Sequence, residues 1–236
     1  MKIRAVPILF FLFLPFCGFG KAALPKAPDV RGKALQEGAE LFVDYCSGCL
    51  GLSFVRRDQF AELGFSEKRI GEMMITDGYP GQPMRPTATR EDQKLWFGAV
   101  PPDLSLAARA RASEKGSGAD WLTAYLRSFR RDESRPTGWN NDVFANVAMP
   151  HVLWEMQGAE SPAADGRAAS TRDAARAGEY ERRIAGLVGF LVWASDPSAA
   201  FRKRVGIGVV AFLLVFSAMT LALKKEYCRE IENERD

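Results

Sequence analysis

Two cysteines and a single histidine are the residues whose types and spacing bear most directly on chemistry in this chain. Cys46 and Cys49 form a Cys-x-x-Cys pair, and His151 is the one histidine in 236 residues. Such a pair serves as a redox disulfide, as half of a four-cysteine metal site, or for thioether attachment of haem when a histidine follows directly. Here Leu50 follows instead. From the pair alone, a disulfide and an incomplete haem site are equally good interpretations.

The composition excludes several classes of protein. One histidine excludes any site that needs two imidazoles, and four cysteines are too few for a disulfide-dense scaffold. The 32 basic and 29 acidic residues leave no surplus of positive charge for binding nucleic acid phosphates, so we expect no nucleic acid partner. A hydrophobic content of 47% predicts a folded core. The mean hydropathy of -0.14 is too low for many membrane spans, although one or two remain compatible with it.

The first 20 residues have the pattern of a secretory signal peptide. Lys2 and Arg4 precede an uncharged, largely apolar run that ends near Phe19, and small residues precede Lys21. We therefore predict a signal peptide at 1–20; a retained N-terminal anchor is the alternative. Cleavage removes two basic residues, which leaves 30 basic against 29 acidic residues, and export predicts an oxidising compartment.

A second apolar run near the C-terminus predicts one transmembrane helix. Residues 205–223 carry no charge, and at about 1.5 Å per residue a helix of this length matches the hydrocarbon core of a bilayer. Basic residues flank the run on both sides, so they do not orient it. The predicted signal peptide orients the span instead. It predicts a periplasmic domain at 21–200, an anchor at 205–223 and a cytoplasmic tail at 224–236. A buried core helix is the alternative for this run.

Apolar periodicity in the exported domain predicts helices and no convincing strand. The first predicted helix carries Leu35, Ala39 and Phe42, and the second is capped by Ser66 and carries Ile70, Met73 and Met74. A third is capped by Asp103 and reaches Ala112, and a fourth follows Asp120 and carries Leu122, Tyr125, Leu126 and Phe129. The last carries Ile184, Leu187, Val188 and Leu191 and ends at Asp196-Pro197.

Long irregular stretches separate these helices. Residues 78–86 and 131–150 are rich in Gly, Pro and Asn, and 159–178 has the composition of a solvated excursion. Loops of this length in a small domain are usually functional or attached to a ligand. The sequence thus predicts a mostly α-helical domain with long irregular loops, followed by one C-terminal transmembrane helix.

Six segments, in the same order, resemble the cytochrome c1 family, the haem subunit of ubiquinol:cytochrome c oxidoreductase (the cytochrome bc1 complex), and most of all its proteobacterial members. The resemblance covers nearly all of the chain after the signal peptide. The segments are ELFVDYC (40–46), WFGAVPPDLS (96–105), ARAR (108–111), RPTGWNN (135–141), MPHVLW (149–154) and KKEY (224–227).

The resemblance implies a cytochrome c-like fold and one haem c. Cys46 and Cys49 would bind the haem covalently, and Met149 would be the sixth ligand of the iron. Arg111 would hold a haem propionate. The residues that would pack near the haem are Pro101 and Pro102, and aromatic side chains that would line its pocket are Trp121, Tyr125 and Trp139.

The resemblance also implies a function in a respiratory chain. The protein would sit in the bacterial inner membrane with its main domain in the periplasm, and would transfer single electrons from a Rieske iron-sulfur protein to a cytochrome c. Its partners would be these two proteins, cytochrome b and the lipid bilayer. No side chain would act as an acid, base or nucleophile. Glu62, Glu67 and Asp92 would be candidates for docking a basic electron carrier.

Leu50 departs from this family at the position of the proximal haem histidine. Leucine has no lone pair for iron, and His151 lies too close to Met149 in sequence for both to bind opposite faces of one haem, so we expect His151 at a surface or interface. Three explanations fit: a single His-to-Leu change in an ordinary member, a variant with altered ligation, or a haem-deficient structural or assembly subunit. A membrane-tethered thiol-disulfide protein is a further hypothesis.

Overall fold

A computed structural model describes residues 24–157 and 171–233, apart from 29, 74–78 and 80. The predicted signal peptide and Met74 lie outside the described residues. The described part is mainly helical, which confirms the predicted fold class. Its helices are α1 (Lys33–Tyr45), α2 (Glu67–Met73), α3 (Arg90–Phe97), α4 (Ala107–Ala110), α5 (Gly118–Arg127), α6 (Trp154–Gln157), α7 (Thr171–Ala194) and α8 (Ala199–Asn233), with a 3-10 helix at Arg57–Leu63.

Helices α1 and α7 form the centre of the domain. A Cβ atom on Gly38 of α1 would lie 2.0 Å from the carbonyl oxygen of Gly186 in α7, so the two backbones are in direct contact. Beside this crossing, the ring of Phe190 lies 5.4 Å from that of Phe42 and 5.6 Å from that of Phe60, between ring centroids. All the apolar positions predicted for α1 and α7 face this core, and all but the half-buried Leu35 are buried.

Two small sheets contradict the prediction that the domain has no strands. Strand β1 (Leu52–Arg56) pairs antiparallel with β2 (Pro83–Met84), and β3 (Phe129–Arg131) pairs antiparallel with β4 (Trp139–Asn141). Strands of two to five residues are too short to show alternation in a sequence. Both sheets fall within or beside the stretches that were predicted to be irregular.

Helix starts differ from the prediction in two places. Asp103 caps no helix, since α4 begins at Ala107. Helix α5 is capped by Ser117, whose hydroxyl accepts from the backbone N of Asp120 while the Asp120 carboxylate accepts in return. The Ser66 cap of α2 is confirmed by its bond from the backbone N of Arg69.

Two segments have different secondary structure from the prediction. Phe129 lies beyond the end of α5, in β3. Helix α7 begins at Thr171, so residues 171–178 are helical, while 175–178 are exposed as predicted for a solvated segment. The earlier part of that excursion, 159–170, lies outside the described residues.

Helix α8 carries the candidate membrane span. Residues Phe201–Arg229 are long and apolar enough to cross a bilayer, with a mean hydropathy of 2.4, and none of this window is buried in the protein. It is the one such helix within the described ranges. Between α7 and α8, Arg202 donates two hydrogen bonds of 2.6 and 2.7 Å to the Asp196 carboxylate. This pair fixes the start of the span to the end of the domain.

Candidate haem site

The Cys-x-x-Cys pair lies on a turn that continues from the end of α1. The backbone N of Cys46 donates to the carbonyl of Phe42 at 2.9 Å, and the backbone N of both Cys49 and Leu50 donates to the carbonyl of Cys46 at 3.1 and 2.9 Å. The side chain of Cys46 is buried and that of Cys49 is half-buried. The turn thus positions both sulfur atoms at one end of α1.

The start of α3 supports this turn through contacts that the sequence did not suggest. The backbone N of Ala88 donates to the carbonyl of Gly48 at 2.9 Å. The buried Gln93 amide donates to the carbonyl of Cys49 at 3.0 Å and reaches that of Ala88 at 3.4 Å. The signal for Gln93 in the sequence is weak, because a single glutamine in a polar helix normally faces water.

Leu50 is half-buried and packs against the main core, of which Cys46 is a member. The next residue, Gly51, has no room for a side chain: a Cβ there would lie 3.0 Å from Pro86 and 3.1 Å from the Asp103 carboxylate. The carbonyl of Gly51 accepts from the backbone N of Leu104 at 2.9 Å. Leu50 therefore lies beside the loop that follows the two predicted haem-packing prolines.

That loop is attached to β1 through Asp103. Its carboxylate accepts from the backbone N and the hydroxyl of Ser53 at 2.9 and 2.7 Å, and from the backbone N of Ser105 at 2.8 Å. Partial burial raises the pKa of Asp103, but these hydrogen bonds outweigh it and the net pKa is lowered. Asp103 is thus ionised near neutral pH. Of the two prolines before it, Pro101 is half-buried and Pro102 exposed.

Met149 lies against an aromatic pair on α5. The hydroxyl of Tyr125 donates to the Met149 sulfur at 3.4 Å, and the Tyr125 ring stacks on Trp121 with centroids 5.1 Å apart. Burial raises the pKa of Tyr125 to about 12, although the nearby Arg111 opposes the shift. Tyr125 therefore keeps its proton and can donate to the thioether.

Arg111 lies on the same aromatic pair. Its guanidinium carbon is 4.3 Å from the centroid of Trp121 and 5.5 Å from that of Phe144. Among the residues that the structure describes, no carboxylate forms an ion pair with it. The structure therefore holds a guanidinium on Trp121, near Tyr125, with its charge available to an anionic group, which fits a propionate.

His151 is buried in the core, so the prediction of a surface or interface position is wrong. Its ring stacks on Phe129 at 4.6 Å and meets the edge of Trp139 at 4.9 Å, between centroids. Its Nε2 is hydrogen-bonded to the side-chain oxygen of Gln157. Burial lowers the pKa of His151. A neutral ring held in this way has a structural role next to Met149.

Two buried amides shape the loop that carries Met149, and the sequence analysis missed their roles. The Asn141 amide donates to the carbonyl of Tyr125 at 2.7 Å, and its oxygen accepts from the backbone N of Val143 and Phe144. The oxygen of Asn140 accepts from the backbone N of Asn146 at 2.9 Å. Asparagines in a Gly- and Pro-rich stretch usually indicate exposed turns, so their burial could not be predicted locally.

Tyr125 joins the two halves of the candidate site. It packs against the core that contains Cys46, and also against the smaller cluster of Phe129, Trp139 and Val147 to which Met149 belongs. Trp121 stacks on Tyr125 and contacts Arg111, whereas Trp139 lies in the cluster against which Met149 packs. The predicted donors are the thiols of Cys46 and Cys49 and the thioether of Met149, which fits thioether attachment and one axial ligand of a haem. They do not supply a second axial ligand, because Leu50 has no donor atom.

Other chemistry for the cysteines fits less well. Within the described ranges there is no group of three or more His, Cys, Asp and Glu side chains that could hold a metal ion. A reactive thiol needs a lowered pKa. Burial, with a smaller contribution from Cys49, raises the pKa of Cys46 to about 12, and burial also raises that of Cys49. The pair is therefore poorly suited to thiol-disulfide exchange.

Comparison with known proteins shows the family of the chain. The profile of the Cytochrome C1 family matches residues 29–231. The chain is 39% identical to the ammonia monooxygenase gamma subunit of Nitrosomonas europaea over 98% of both chains. It is 34% identical to cytochrome c1 of Allochromatium vinosum over 86% of this chain and 87% of that one, and 28% identical to cytochrome c1 of Rhodospirillum rubrum over 84% and 82%.

Proposed function

This chain belongs to the cytochrome c1 family, and we propose that it is a membrane-anchored c-type cytochrome of a quinol:cytochrome c oxidoreductase. It takes single electrons from a Rieske iron-sulfur protein and passes them to a cytochrome c. The observation that carries the proposal is the grouping of Arg111, Tyr125 and Met149 in one place, with an arginine that no described carboxylate neutralises.

The chain's residues would bind and orient the haem, which supplies the one-electron chemistry. Cys46 and Cys49 would form the thioether bonds at the end of α1. Met149 would provide one axial ligand, and the hydroxyl of Tyr125 would hold its sulfur in position. Arg111 would bind a propionate, and Pro102 would pack near the haem. The buried aromatic side chains around Tyr125 would exclude water from the pocket.

The anchor accounts for the cellular part of the proposal. One candidate membrane helix follows the domain directly, and the Asp196–Arg202 pair fixes its start. We place the domain in the periplasm of a bacterium and the residues after the span in the cytoplasm. Cytochrome b and the Rieske protein would be its partners in the membrane. Of the predicted docking residues, Glu62 and Glu67 are exposed, whereas Asp92 is half-buried and its carboxylate accepts from the hydroxyl of Thr89.

Leu50 favours a second candidate, a haem-deficient structural or assembly subunit with the same fold and anchor. One relative is named as the gamma subunit of ammonia monooxygenase. Proteins that co-purify with the tagged full chain from its membranes would tell which assembly it joins. Cytochrome b and a Rieske protein are the partners that our first proposal expects.

The decisive experiment measures covalent haem in the full chain. We would express it in a bacterium with cytochrome c maturation machinery and quantify haem per protein by the pyridine haemochrome spectrum and by mass spectrometry. One haem per chain supports the electron carrier, and a chain without haem supports the second candidate.

Two variants control this measurement. Cys46→Ser with Cys49→Ser should lose covalent haem entirely. Cys228→Ser, which removes an exposed thiol on α8, should keep the haem content of the unmodified protein. Equal haem in the double variant would contradict attachment through the pair.

A further inference from the structure

The junction between the domain and the candidate membrane span carries a group of basic side chains that the proposed function does not use. Arg202, Lys203 and Arg204 come directly before the uncharged run at 205–223, and all three are exposed. Residues 197–225 contain no Asp or Glu. One acidic residue, Asp196, therefore lies close to these cations in sequence.

That acidic residue is shared between two cations. Arg202 donates two hydrogen bonds, of 2.6 and 2.7 Å, to the Asp196 carboxylate. These bonds lower the pKa of Asp196, and the charge of Arg109 on α4 lowers it further, so Arg109 lies near the same carboxylate. With Lys203 and Arg204, four cations meet one carboxylate. Three positive charges are left without a counter-charge at this end of the span.

Lys203 and Arg204 lie on other sides of α8 than Arg202. Successive helical residues are about 100° apart around the axis. Because Arg202 faces the domain through Asp196, Arg204 projects from the opposite side of the helix. Among the residues that the structure describes, no carboxylate pairs with Lys203 or Arg204. Long basic side chains at the end of a span extend into the headgroup layer, so these two charges lie at the bilayer surface.

We propose that Arg109, Lys203 and Arg204 form a binding surface for the phosphate groups of anionic phospholipids in the leaflet next to the domain. Anionic headgroups attract basic residues that flank a span. Basic residues are normally biased to the cytoplasmic side. The three at 202–204 oppose that bias if the domain is exported, and an anionic partner on that side accounts for them. This inference goes beyond the proposed function and does not require that the chain carry a haem.

The span itself favours a lipid over a free anion or an acidic protein. The helix continues directly into apolar side chains, and none of the candidate span is buried in the protein. The acyl chains of a phospholipid can lie along these side chains while its phosphate meets the cations at the junction. A free anion or an acidic protein surface would use the charges alone.

The test measures how strongly the full chain prefers phosphatidylglycerol to phosphatidylcholine. The chain is reconstituted in nanodiscs that contain both lipids, and the lipids retained after transfer to a neutral detergent are counted by native mass spectrometry. All proteins carry Lys224→Gln and Lys225→Gln, which removes the basic pair at the other end of the span. We expect Lys203→Gln with Arg204→Gln to lower the preference by about tenfold, and Arg109→Gln to lower it by a smaller factor.

Two control proteins separate the position of the charges from their number. Arg90→Gln with Lys94→Gln removes two charges from exposed positions of α3, and it should leave the lipid preference unchanged. Lys203→Arg with Arg204→Lys keeps both charges at the junction, and it should keep the preference as well. Loss of the preference in this second control would contradict a site that recognises charge.

Removing the acidic residue should have the opposite effect. Asp196→Asn takes the counter-charge from Arg109 and Arg202, so we expect a stronger preference for phosphatidylglycerol. An unchanged or weaker preference would show that these two arginines do not contribute to the surface.

The remaining outcomes decide what the surface binds. Equal preferences in Lys203→Gln, Arg204→Gln and in the α3 control would overturn the proposal. Displacement of the lipid by inorganic phosphate, beyond that by sodium chloride of the same ionic strength, would replace the lipid with a free anion. An acidic protein that the double variant loses, with its lipid preference intact, would replace the lipid with a protein partner. None of these measurements uses haem, so each of these failures leaves the proposed electron carrier standing.

Discussion

The two halves of the candidate site are built in different ways. On the cysteine half, backbone hydrogen bonds form the turn from Cys46 to Leu50, and the carbonyls of this turn accept from the start of α3. On the methionine half, side chains hold one another: Met149 contacts Tyr125, and the buried Asn141 bonds the backbone around them.

This difference explains how the residue at position 50 can differ from the predicted histidine while the turn still forms. The hydrogen bonds of the turn use only the backbone of Leu50, so a change of residue there alters packing against the core but keeps these bonds. On the methionine half, a change in one side chain deprives several others of a partner. We expect substitutions to separate the two halves in the same way.

The largest expected effect comes from the helix crossing that supports the cysteine half. Gly38→Ala places a methyl group 2.0 Å from the carbonyl oxygen of Gly186, and neither backbone can move without separating α1 from α7. We expect a loss of about 3 kcal/mol or more in the free energy of unfolding, as for severe overpacking. Thermal and denaturant unfolding of the full chain in detergent would measure it.

Gly71→Ala is the matched control for this substitution. Gly71 also lies in a helix, but a Cβ there would meet nothing within 4 Å. Alanine has the higher helix propensity, so the control should be unchanged or more stable by up to about 1 kcal/mol. A Gly38→Ala protein as stable as the control would contradict the close crossing.

The next largest effect is expected on the methionine half. Asn141→Ala leaves the backbone N of Val143 and Phe144 without their acceptor, and it removes one donor from the carbonyl of Tyr125, which still accepts from Ser128. Unpaired buried polar groups cost roughly 1–3 kcal/mol each, and partial access of water reduces the sum, so we expect about 3 kcal/mol. The exposed neighbour Glu133→Ala should change stability by less than about 0.5 kcal/mol. Equal losses of stability in the two variants would show that the Asn141 side chain does not stabilise the loop that carries Met149.

The two halves also differ in how far the sequence could predict them. The stripes of α1 and α7 were predictable, because each is a local pattern of apolar residues that repeats with the helix. The roles that the resemblance implies for Arg111 and Met149 remain predictions; the structure shows only that Met149 contacts Tyr125 and that Arg111 contacts Trp121. Gln93 was missed because its main bond joins residues 44 apart in sequence. His151 was expected at a surface because nothing local to its sequence shows that two aromatic rings enclose it.

A smaller effect should separate the turn from the helix that supports it. Gln93→Ala removes the donor to the carbonyl of Cys49 and leaves that carbonyl partly buried. We expect a loss of about 2 kcal/mol in stability. The alkylation rate of the Cys49 thiol in the haem-free protein should also rise, because the turn loosens. The neighbouring Glu91→Ala is the control, and it should leave the alkylation rate unchanged. An unchanged rate in Gln93→Ala as well would show that the turn from Cys46 to Leu50 does not depend on Gln93.

His151, on the methionine half, should make the stability of the protein depend on pH. Burial holds the pKa of His151 below its unfolded value of about 6.5, so the unfolded chain binds a proton before the folded chain does. Stability should fall as the pH drops below about 6.5, by at most about 1.4 kcal/mol per pH unit from this residue. His151→Phe keeps a ring beside Phe129 without the titration. Its stability curve should be flatter between pH 7 and 5, and parallel curves would show that the pKa of His151 is the same in the folded and the unfolded chain.

The smallest expected effect tests whether Arg111 serves the fold or the haem. Its contacts with Trp121 and Phe144 are cation–π interactions at an exposed position, worth roughly 0.5–1 kcal/mol. In the haem-free Cys46→Ser, Cys49→Ser background, Arg111→Gln should therefore cost no more than this. In the haem-loaded protein the same change should cost more, because a propionate also loses its guanidinium partner. Thermal unfolding of the four proteins gives the difference directly, and an equal cost in both backgrounds would limit Arg111 to packing on Trp121.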